Sequence, residues 1–288
     1  MAITVDTKMI ALLGKPLRQS FSPRMQNEAY EAAGLDFHYF PVEVENDHLG
    51  DVINGLKYMN FVGFAVTKPN KIEILKYLDE IDELAEKMGS CNTIVNNNGK
   101  LKGYNTDGEG FVRSLLNETE CKLEESVFFC FGAGGAGRAI CSTLAFRGAK
   151  KIYIVDKFEE ASKSLVADIN TKFAPVAELV QFEDIAEINT KITSANVVIN
   201  ASGIGMYPHL DEVPVAKEAL HSSQICFDAT YNPLKTKFLM EAESIGCKIL
   251  NGIGMVINQG TIQYSLWTGL PEPTETFTKS IEKIVSEK

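Results

Sequence analysis

The sequence predicts an α/β protein of two domains, with a cleft between them. Its 288 residues fit two domains at roughly 100 to 200 residues per domain. Short apolar runs alternate with helical patterns along almost the whole chain, which is typical of α/β folds. In the second half these runs are rich in β-branched and aromatic residues and are almost continuously apolar, as a parallel sheet covered on both faces requires.

The first domain is expected to span residues 1–107. Its predicted strands are 9–13, 37–44, 61–66, 93–95 and 101–104. Asn98-Gly99 predicts a primed turn that joins the last two strands into a hairpin. The best marked helix follows the first strand, where Ser22 can cap it, Pro23 suits its first turn and Gly34 can close it.

The second domain is expected to span residues 108–254. Its predicted strands are 127–131, 151–155, 197–200, 225–229 and 248–250, with helical segments between them. The residues that follow, 255–288, are helical in pattern, and we expect them to complete the first domain.

Composition and charge exclude several classes of protein. A net charge of −10 disfavours nucleic acid and anionic membranes as main partners. No apolar run approaches the roughly 18 residues of a membrane span, and the N-terminus does not look like a signal peptide, so we expect a cytoplasmic protein. The four histidines and six cysteines show no metal-ligand spacing, so no metal is expected, and the cysteines are expected to be reduced core thiols.

A glycine-rich loop directly follows the strand predicted at 127–131. It reads Gly132, Ala133, Gly134, Gly135, Ala136 and Gly137, a GxGxxG between a strand and a helix. The glycines permit a tight turn, close approach of a pyrophosphate and close packing of helix on strand, while the helix N-terminus faces the phosphates. This context predicts a dinucleotide-binding site.

Asp156, at the end of the next strand, predicts the choice of dinucleotide. A carboxylate there accepts hydrogen bonds from the adenosine ribose and repels a 2′-phosphate, which favours NAD over NADP. Lys157 can soften that discrimination. The alternative is that Asp156 only caps the next helix.

Several motifs in order resemble the shikimate dehydrogenase family from residue 14 to residue 269. Within the family, the chain most resembles the quinate/shikimate dehydrogenase branch. This resemblance rests on Gln26 and Asn70, two positions at which the biosynthetic members mostly carry histidine. The matching segments are 14–23 (GKPLRQSFSP), 63–71 (GFAVTKPNK), 92–93 (NT), 104–108 (YNTDG), 200–206, 231–233 (YNP), 251–260 and 267–269 (WTG).

The resemblance implies a catalytic pair, Lys71 and Asp107. Oxidation of an alcohol releases a proton as hydride leaves for nicotinamide, and a lysine amine can accept that proton. Asp107 would orient the lysine. Without the resemblance, Lys71 would be read as a solvated surface charge.

The same resemblance implies residues that bind substrate and cofactor. Ser20 and Ser22 would hold a carboxylate, although 22–23 also reads simply as a helix start. Gly252 and Met255 would flank the nicotinamide, although Met255 also suits a core. Substrate hydroxyls would meet Thr67, Asn92 and Gln259, with Tyr231 as an addition.

We therefore expect an NAD-preferring dehydrogenase that interconverts shikimate and 3-dehydroshikimate, and also quinate and 3-dehydroquinate, in aromatic amino acid metabolism. The usual Asn-Arg-Ser/Thr that receives a 2′-phosphate is replaced here by residues 156–158 (DKF). The alternatives are an aminoshikimate or other cyclic polyol-acid dehydrogenase, and a non-catalytic dinucleotide sensor. The expected partners are small molecules, and the sequence leaves a homodimer open.

Overall fold

The computed structural model describes residues 3–287, which fall into two compact units. Unit 1 contains the residues up to Thr106 together with those from Ile257 onward, and unit 2 is Asp107–Val256. Each unit is built on a six-stranded sheet, so the predicted α/β class is confirmed.

The sheet of unit 1 has the strand order β2-β1-β3-β5-β6-β4. The first three strands in this order are parallel, and β5 runs antiparallel to both β3 and β6. Leu13, Phe64 and Ile94 lie fully buried in its core. The strands are β1 Lys8–Gly14, β2 Phe37–Glu43, β3 Phe61–Val66, β4 Glu80–Ile81, β5 Thr93–Asn97 and β6 Lys100–Tyr104, and the helices are α1 Ser22–Ala32, α2 Asn46–Leu56 and α3 Glu83–Met88.

Local predictions in unit 1 had mixed outcomes. The hairpin is confirmed, with positive φ at Asn98 and Gly99 as a primed turn requires. Ser22 is the first residue of α1 and not its cap, because Phe21 already has α-helical backbone angles and occupies the cap position. After Lys71 the chain forms only a short 3₁₀ helix, Glu73–Tyr77.

The sheet of unit 2 is parallel throughout, with the strand order β12-β11-β10-β7-β8-β9. The sequence missed only its edge strand β9, whose three residues are too few to show a pattern. The strands are β7 Val127–Phe131, β8 Lys151–Val155, β9 Ala177–Leu179, β10 Val197–Asn200, β11 Ile225–Asp228 and β12 Lys248–Leu250, and the helices are α4 Asp107–Glu118, α5 Gly135–Phe146, α6 Glu159–Lys172, α7 Ile185–Ser194 and α8 Lys237–Ile245.

Two helices end the chain, α9 Gly252–Thr268 and α10 Thr274–Ser286. The boundary between the units falls within α9. In unit 1, the indole of Trp267 donates to the carbonyl of Ile94 at 2.9 Å, and α10 buries Phe277 and Ile281. None of the helices in residues 3–287 has the length and apolarity needed to cross a membrane.

Candidate active site

In unit 1, the ends of β1 and β3 carry polar residues side by side. Thr67, directly after β3, donates its N–H to the carbonyl of Leu13 at 2.9 Å, and Lys15 donates to Lys68 at the same distance. Parallel strands bring their carboxyl ends to one edge of a sheet, where α/β proteins bind ligands. Thr67 and the segment that follows β1 therefore lie together at this edge.

Lys71 is held on a turn next to this edge. The N–H of Asn70 donates to the Thr67 carbonyl, and the N–H of Cys91 donates to the Lys71 carbonyl, both at 2.9 Å. The buried Asn70 amide also donates to the Val44 carbonyl at 2.9 Å. These bonds fix the backbone of Lys71, whose side chain is partly exposed and so can reach a ligand.

Asn92 is buried where β5 begins, opposite the end of β3. Its carbonyl accepts from the Val66 N–H at 2.8 Å. Its side-chain oxygen accepts from the Thr106 N–H at 2.9 Å and the Thr93 hydroxyl at 2.7 Å, while its Nδ2 donates to the Thr106 hydroxyl at 3.0 Å. The network fixes the orientation of the Asn92 amide, in a residue whose chain neighbour Cys91 donates to the Lys71 carbonyl.

Ser20 and Ser22 lie at the start of α1. The loop before them is anchored by Glu43, which accepts from the Leu17 N–H at 3.0 Å. The Ser20 hydroxyl accepts from the Ser22 N–H at 3.3 Å, and both serines are partly exposed. Two hydroxyls beside a helix N-terminus suit a small carboxylate.

Gln259 lies on α9, and two buried glutamines attach this helix to the site of unit 1. Gln263, one turn further along, donates to the Thr93 hydroxyl at 2.9 Å. Gln26 of α1 donates to the carbonyl of Gly260 at 3.0 Å. Unit 1 thus brings five predicted regions together: the serine loop, Thr67, Lys71, Asn92 and Gln259.

In unit 2, the glycine loop has the geometry that a pyrophosphate needs. Gly132 has a φ of +102°, which favours glycine. A Cβ on Gly137 would lie 1.8 Å from the Gly132 carbonyl oxygen, so that position must be glycine. Cβ atoms on Gly134 and Gly135 would meet nothing within 4 Å, so this part of the loop can be approached closely. Ala133 and Ala136 complete the loop.

Asp156 braces this loop and does not cap the next helix. Its carboxylate accepts from the Ala133 N–H at 2.7 Å and from the Phe158 N–H at 2.8 Å. Phe158 occupies the cap position of α6, so the capping alternative is wrong. Lys157 is exposed, with its Nζ 5.0 Å from the centre of the Phe158 ring. A carboxylate thus lies at the loop where a dinucleotide would place its ribose.

Unit 2 also contains the other four predicted residues. Asp107 is the first residue of α4 and is 9% exposed. Tyr231 follows β11, and burial raises the pKa of its hydroxyl, so it stays neutral. Gly252 begins α9. Met255 packs in a hydrophobic core cluster of the unit, the position expected under the alternative that it is a core residue.

A buried network at the ends of β10 and β11 was not predicted from the sequence. One oxygen of Asp228 accepts from the Asn200 amide at 2.9 Å and the Thr236 hydroxyl at 2.7 Å, and the other accepts from the Thr230 N–H at 2.9 Å. Burial raises the pKa of the Asp228 carboxyl, and these hydrogen bonds oppose the rise. A lone acidic residue at the end of an apolar strand was the signal available for it. Gln263, also missed, is a polar residue on an apolar helix.

The donor set fits a nicotinamide dinucleotide and a small polar acid. In unit 2 an open glycine loop, a helix N-terminus and a carboxylate offer what a pyrophosphate and a ribose require. In unit 1 a cation, three hydroxyls and two amides offer what a hydroxylated carboxylic acid requires. Within residues 3–287 there is no group of three or more side chains suited to hold a metal ion.

Comparisons with known proteins agree with this chemistry. Residues 12–94 match the family model described as the shikimate dehydrogenase substrate binding domain. A shikimate dehydrogenase (NADP(+)) of Alkaliphilus oremlandii is 39% identical over 280 residues, which is 97% of this chain and 98% of the relative.

Two solved structures are similar over nearly the whole chain. Shikimate 5-dehydrogenase of Listeria monocytogenes, in complex with shikimate and NAD, is 37% identical, with a TM-score of 0.92 and coverage of 98% of each chain. Quinate dehydrogenase of Corynebacterium glutamicum, in complex with NAD, is 27% identical, with a TM-score of 0.89 and coverage of 96% of this chain and 99% of that one.

Proposed function

The chain belongs to the shikimate dehydrogenase family, and we propose that it catalyses the reversible oxidation of shikimate to 3-dehydroshikimate with a nicotinamide dinucleotide. It is an oxidoreductase that acts on a CH–OH group. The observation that carries the substrate proposal is the similarity to a shikimate-bound dehydrogenase over 98% of the chain.

Lys71 is the proposed acid and base. Its Nζ would take the hydroxyl proton of the substrate during oxidation and return it during reduction. When bound, the dinucleotide supplies the hydride acceptor. We propose that Asp107 is the partner that orients the Lys71 ammonium group, and this role is taken from the family resemblance.

The other polar residues of unit 1 are the proposed substrate contacts. Ser20 and Ser22 would bind the carboxylate through their hydroxyls. Thr67, Asn92 and Gln259 would bind ring hydroxyls, since each offers neutral donors or acceptors. The network around Asn92 supports this role, because it fixes the amide in one orientation before substrate arrives.

Cofactor contacts are proposed for unit 2. Gly252 and Met255 would flank the nicotinamide, and Tyr231 would add a neutral hydroxyl toward the substrate. Asp156 supports a preference for NAD, because a 2′-phosphate beside a carboxylate at the glycine loop would be repelled. The family contains both choices: the Alkaliphilus relative is named for NADP(+), and the Listeria structure holds NAD.

A second substrate, quinate, is favoured by the similarity to the Corynebacterium quinate dehydrogenase. Asn70 and Gln26, which resemble the quinate/shikimate branch, support the same extension. Quinate also carries a carboxylate and ring hydroxyls, so one set of contacts could serve both acids.

One experiment tests substrate and cofactor together. Absorbance of the reduced nicotinamide is followed while shikimate and quinate are each combined with NAD and with NADP. We expect turnover of both acids and a higher kcat/KM with NAD. Turnover only with NADP would contradict the cofactor proposal, and turnover of neither acid would leave another polyol-acid dehydrogenase or a dinucleotide sensor as the function.

A further inference from the structure

Gln26 joins the two helices that carry the candidate substrate contacts. It is 0% exposed, and its Nε2 donates to the carbonyl of Gly260 at 3.0 Å. Four residues further along each helix, Tyr30 of α1 stacks on Tyr264 of α9 with 5.5 Å between ring centres. The two helices therefore run in the same direction along this contact.

This alignment places the Gln26 bond next to both groups of contacts. Ser22 precedes Gln26 by one helical turn, on the same face of α1. Gln259 directly precedes Gly260 on α9. Behind this point α10 is packed closely, because a Cβ on Gly260 would lie 2.8 Å from the ring of Phe277. The α9 backbone at Gln259 is thus held between Gln26 and α10.

Gln26 should stabilise the fold of unit 1 less than an apolar side chain of similar shape would. Its side-chain oxygen is buried and has no hydrogen-bond partner among residues 3–287. An unsatisfied buried carbonyl destabilises a fold, whereas an apolar side chain of similar shape can be neutral or stabilising. The stability of unit 1 therefore does not account for an amide at this position.

We propose that Gln26 is a positioning residue for substrate binding. It sets the separation between the hydroxyl of Ser22 and the amide of Gln259, so that the carboxylate and a ring hydroxyl of one substrate are bound at once. The proposal rests on the proposed function. The proposed role of Gln26 concerns only unit 1. A substitution of Gln26 should therefore leave the affinity for the cofactor unchanged, and that affinity serves as the reference.

The first variant is Gln26→Met, which keeps the length of the side chain and removes the amide. We expect the KM for shikimate to rise about 3- to 10-fold, the range for loss of one hydrogen bond. The kcat and the Kd for NAD should stay within about 2-fold. The unfolding temperature should be unchanged or higher, because the unpaired carbonyl is removed as well.

Gln224→Met is the matched control. Gln224 is 1% exposed and donates to the carbonyls of Ile192 and Ala195 at 2.7 and 3.0 Å, in unit 2. It makes the same kind of bond without contact to any candidate substrate residue. This variant should lower the unfolding temperature and leave the KM for shikimate unchanged.

Gln26→His gives the rescue, since an imidazole N–H can again donate to the carbonyl of Gly260. We expect its KM to return most of the way to that of the unmodified protein. An unchanged KM in Gln26→Met, or a rise matched by the control, would overturn the proposal. Failure of the proposed function would look different, because the unmodified chain would then not turn over shikimate.

Discussion

At the scale of single residues, the proposed chemistry depends on Lys71, whose backbone is fixed by hydrogen bonds from Cys91 and through Asn70. Lys71→Met should lower kcat at least about 100-fold, the usual minimum for loss of a general acid and base. The Kd for NAD, measured by calorimetry, should change little, since the candidate cofactor residues lie in unit 2.

Lys76→Ala serves as the control for that variant. Lys76 lies on the adjacent 3₁₀ helix, is 68% exposed and pairs with Glu73 at 2.7 Å. Exposed ion pairs contribute little to stability, so the Lys76→Ala variant should fold normally. Its kcat should stay within about 2-fold of that of the unmodified protein. Retained turnover in Lys71→Met would remove the lysine from the mechanism.

Asp156 carries the second prediction at this scale. Asp156→Asn removes the charge and keeps an oxygen that can accept from the Ala133 or Phe158 N–H. We expect the ratio of kcat/KM with NAD to that with NADP to fall by about 10-fold, which corresponds to about 1.4 kcal/mol. Glu160→Gln, on the exposed first turn of α6, should leave the ratio unchanged. An unchanged ratio in Asp156→Asn would show that this carboxylate does not select the cofactor.

At the scale of elements, the turn from β7 to α5 separates a packing role from a binding role among its glycines. Gly137→Ala should lower the unfolding temperature and abolish NAD binding, because its Cβ would lie 1.8 Å from the Gly132 carbonyl oxygen. Gly135→Ala should keep the unfolding temperature, since its Cβ meets nothing within 4 Å, and should weaken only NAD binding. Thermal unfolding and calorimetric titration measure the two effects. Equal unfolding temperatures for both variants would contradict this division.

The ends of β10 and β11 are tied together by Asp228, whose raised carboxyl pKa has a consequence for stability. Because the native state holds this proton more tightly than the unfolded chain, the stabilisation is complete below the ordinary carboxyl pKa of 3.8 and is lost as the pH rises through the native value. Asp228→Asn has no such titration. Its buried donors also lose an acceptor, so its unfolding temperature should be lower by about 5 °C.

The measurement is the difference in unfolding temperature between the unmodified chain and Asp228→Asn from pH 4 to pH 7. The difference should be largest near pH 4 and should narrow toward pH 7. A difference in unfolding temperature that widens as the pH rises would contradict the inference that burial raises the pKa of the Asp228 carboxyl.

At the scale of the whole molecule, unit 2 is a continuous stretch of chain and unit 1 is not. We therefore expect residues 107–256, expressed alone, to unfold cooperatively and to bind NAD. Residues 1–106 alone should not fold, because they lack Gln263, Trp267 and α10, which contact the β5 region and α1. Circular dichroism and calorimetry test both fragments. A folded 1–106 fragment, or a 107–256 fragment without dinucleotide affinity, would contradict this organisation.

Much of the fold was predictable because its signals are local. The strand periods, the Asn98-Gly99 turn and the strand-glycine loop-helix order each depend on neighbours in sequence. The errors have the same origin. Phe21 took helical angles and displaced Ser22 from the cap, and three residues of β9 were too few to show a period.

The sequence by itself determined the α/β class, the glycine loop and the candidate residues, since these follow from local pattern and from family resemblance. Only the tertiary structure decided which side chains share hydrogen bonds. Gln263 meets Thr93, a partner 170 positions away, and Asp228 collects donors from three segments. Such partners are chosen by the packing of whole helices and strands, because a buried polar group must be satisfied by whatever the fold brings to it.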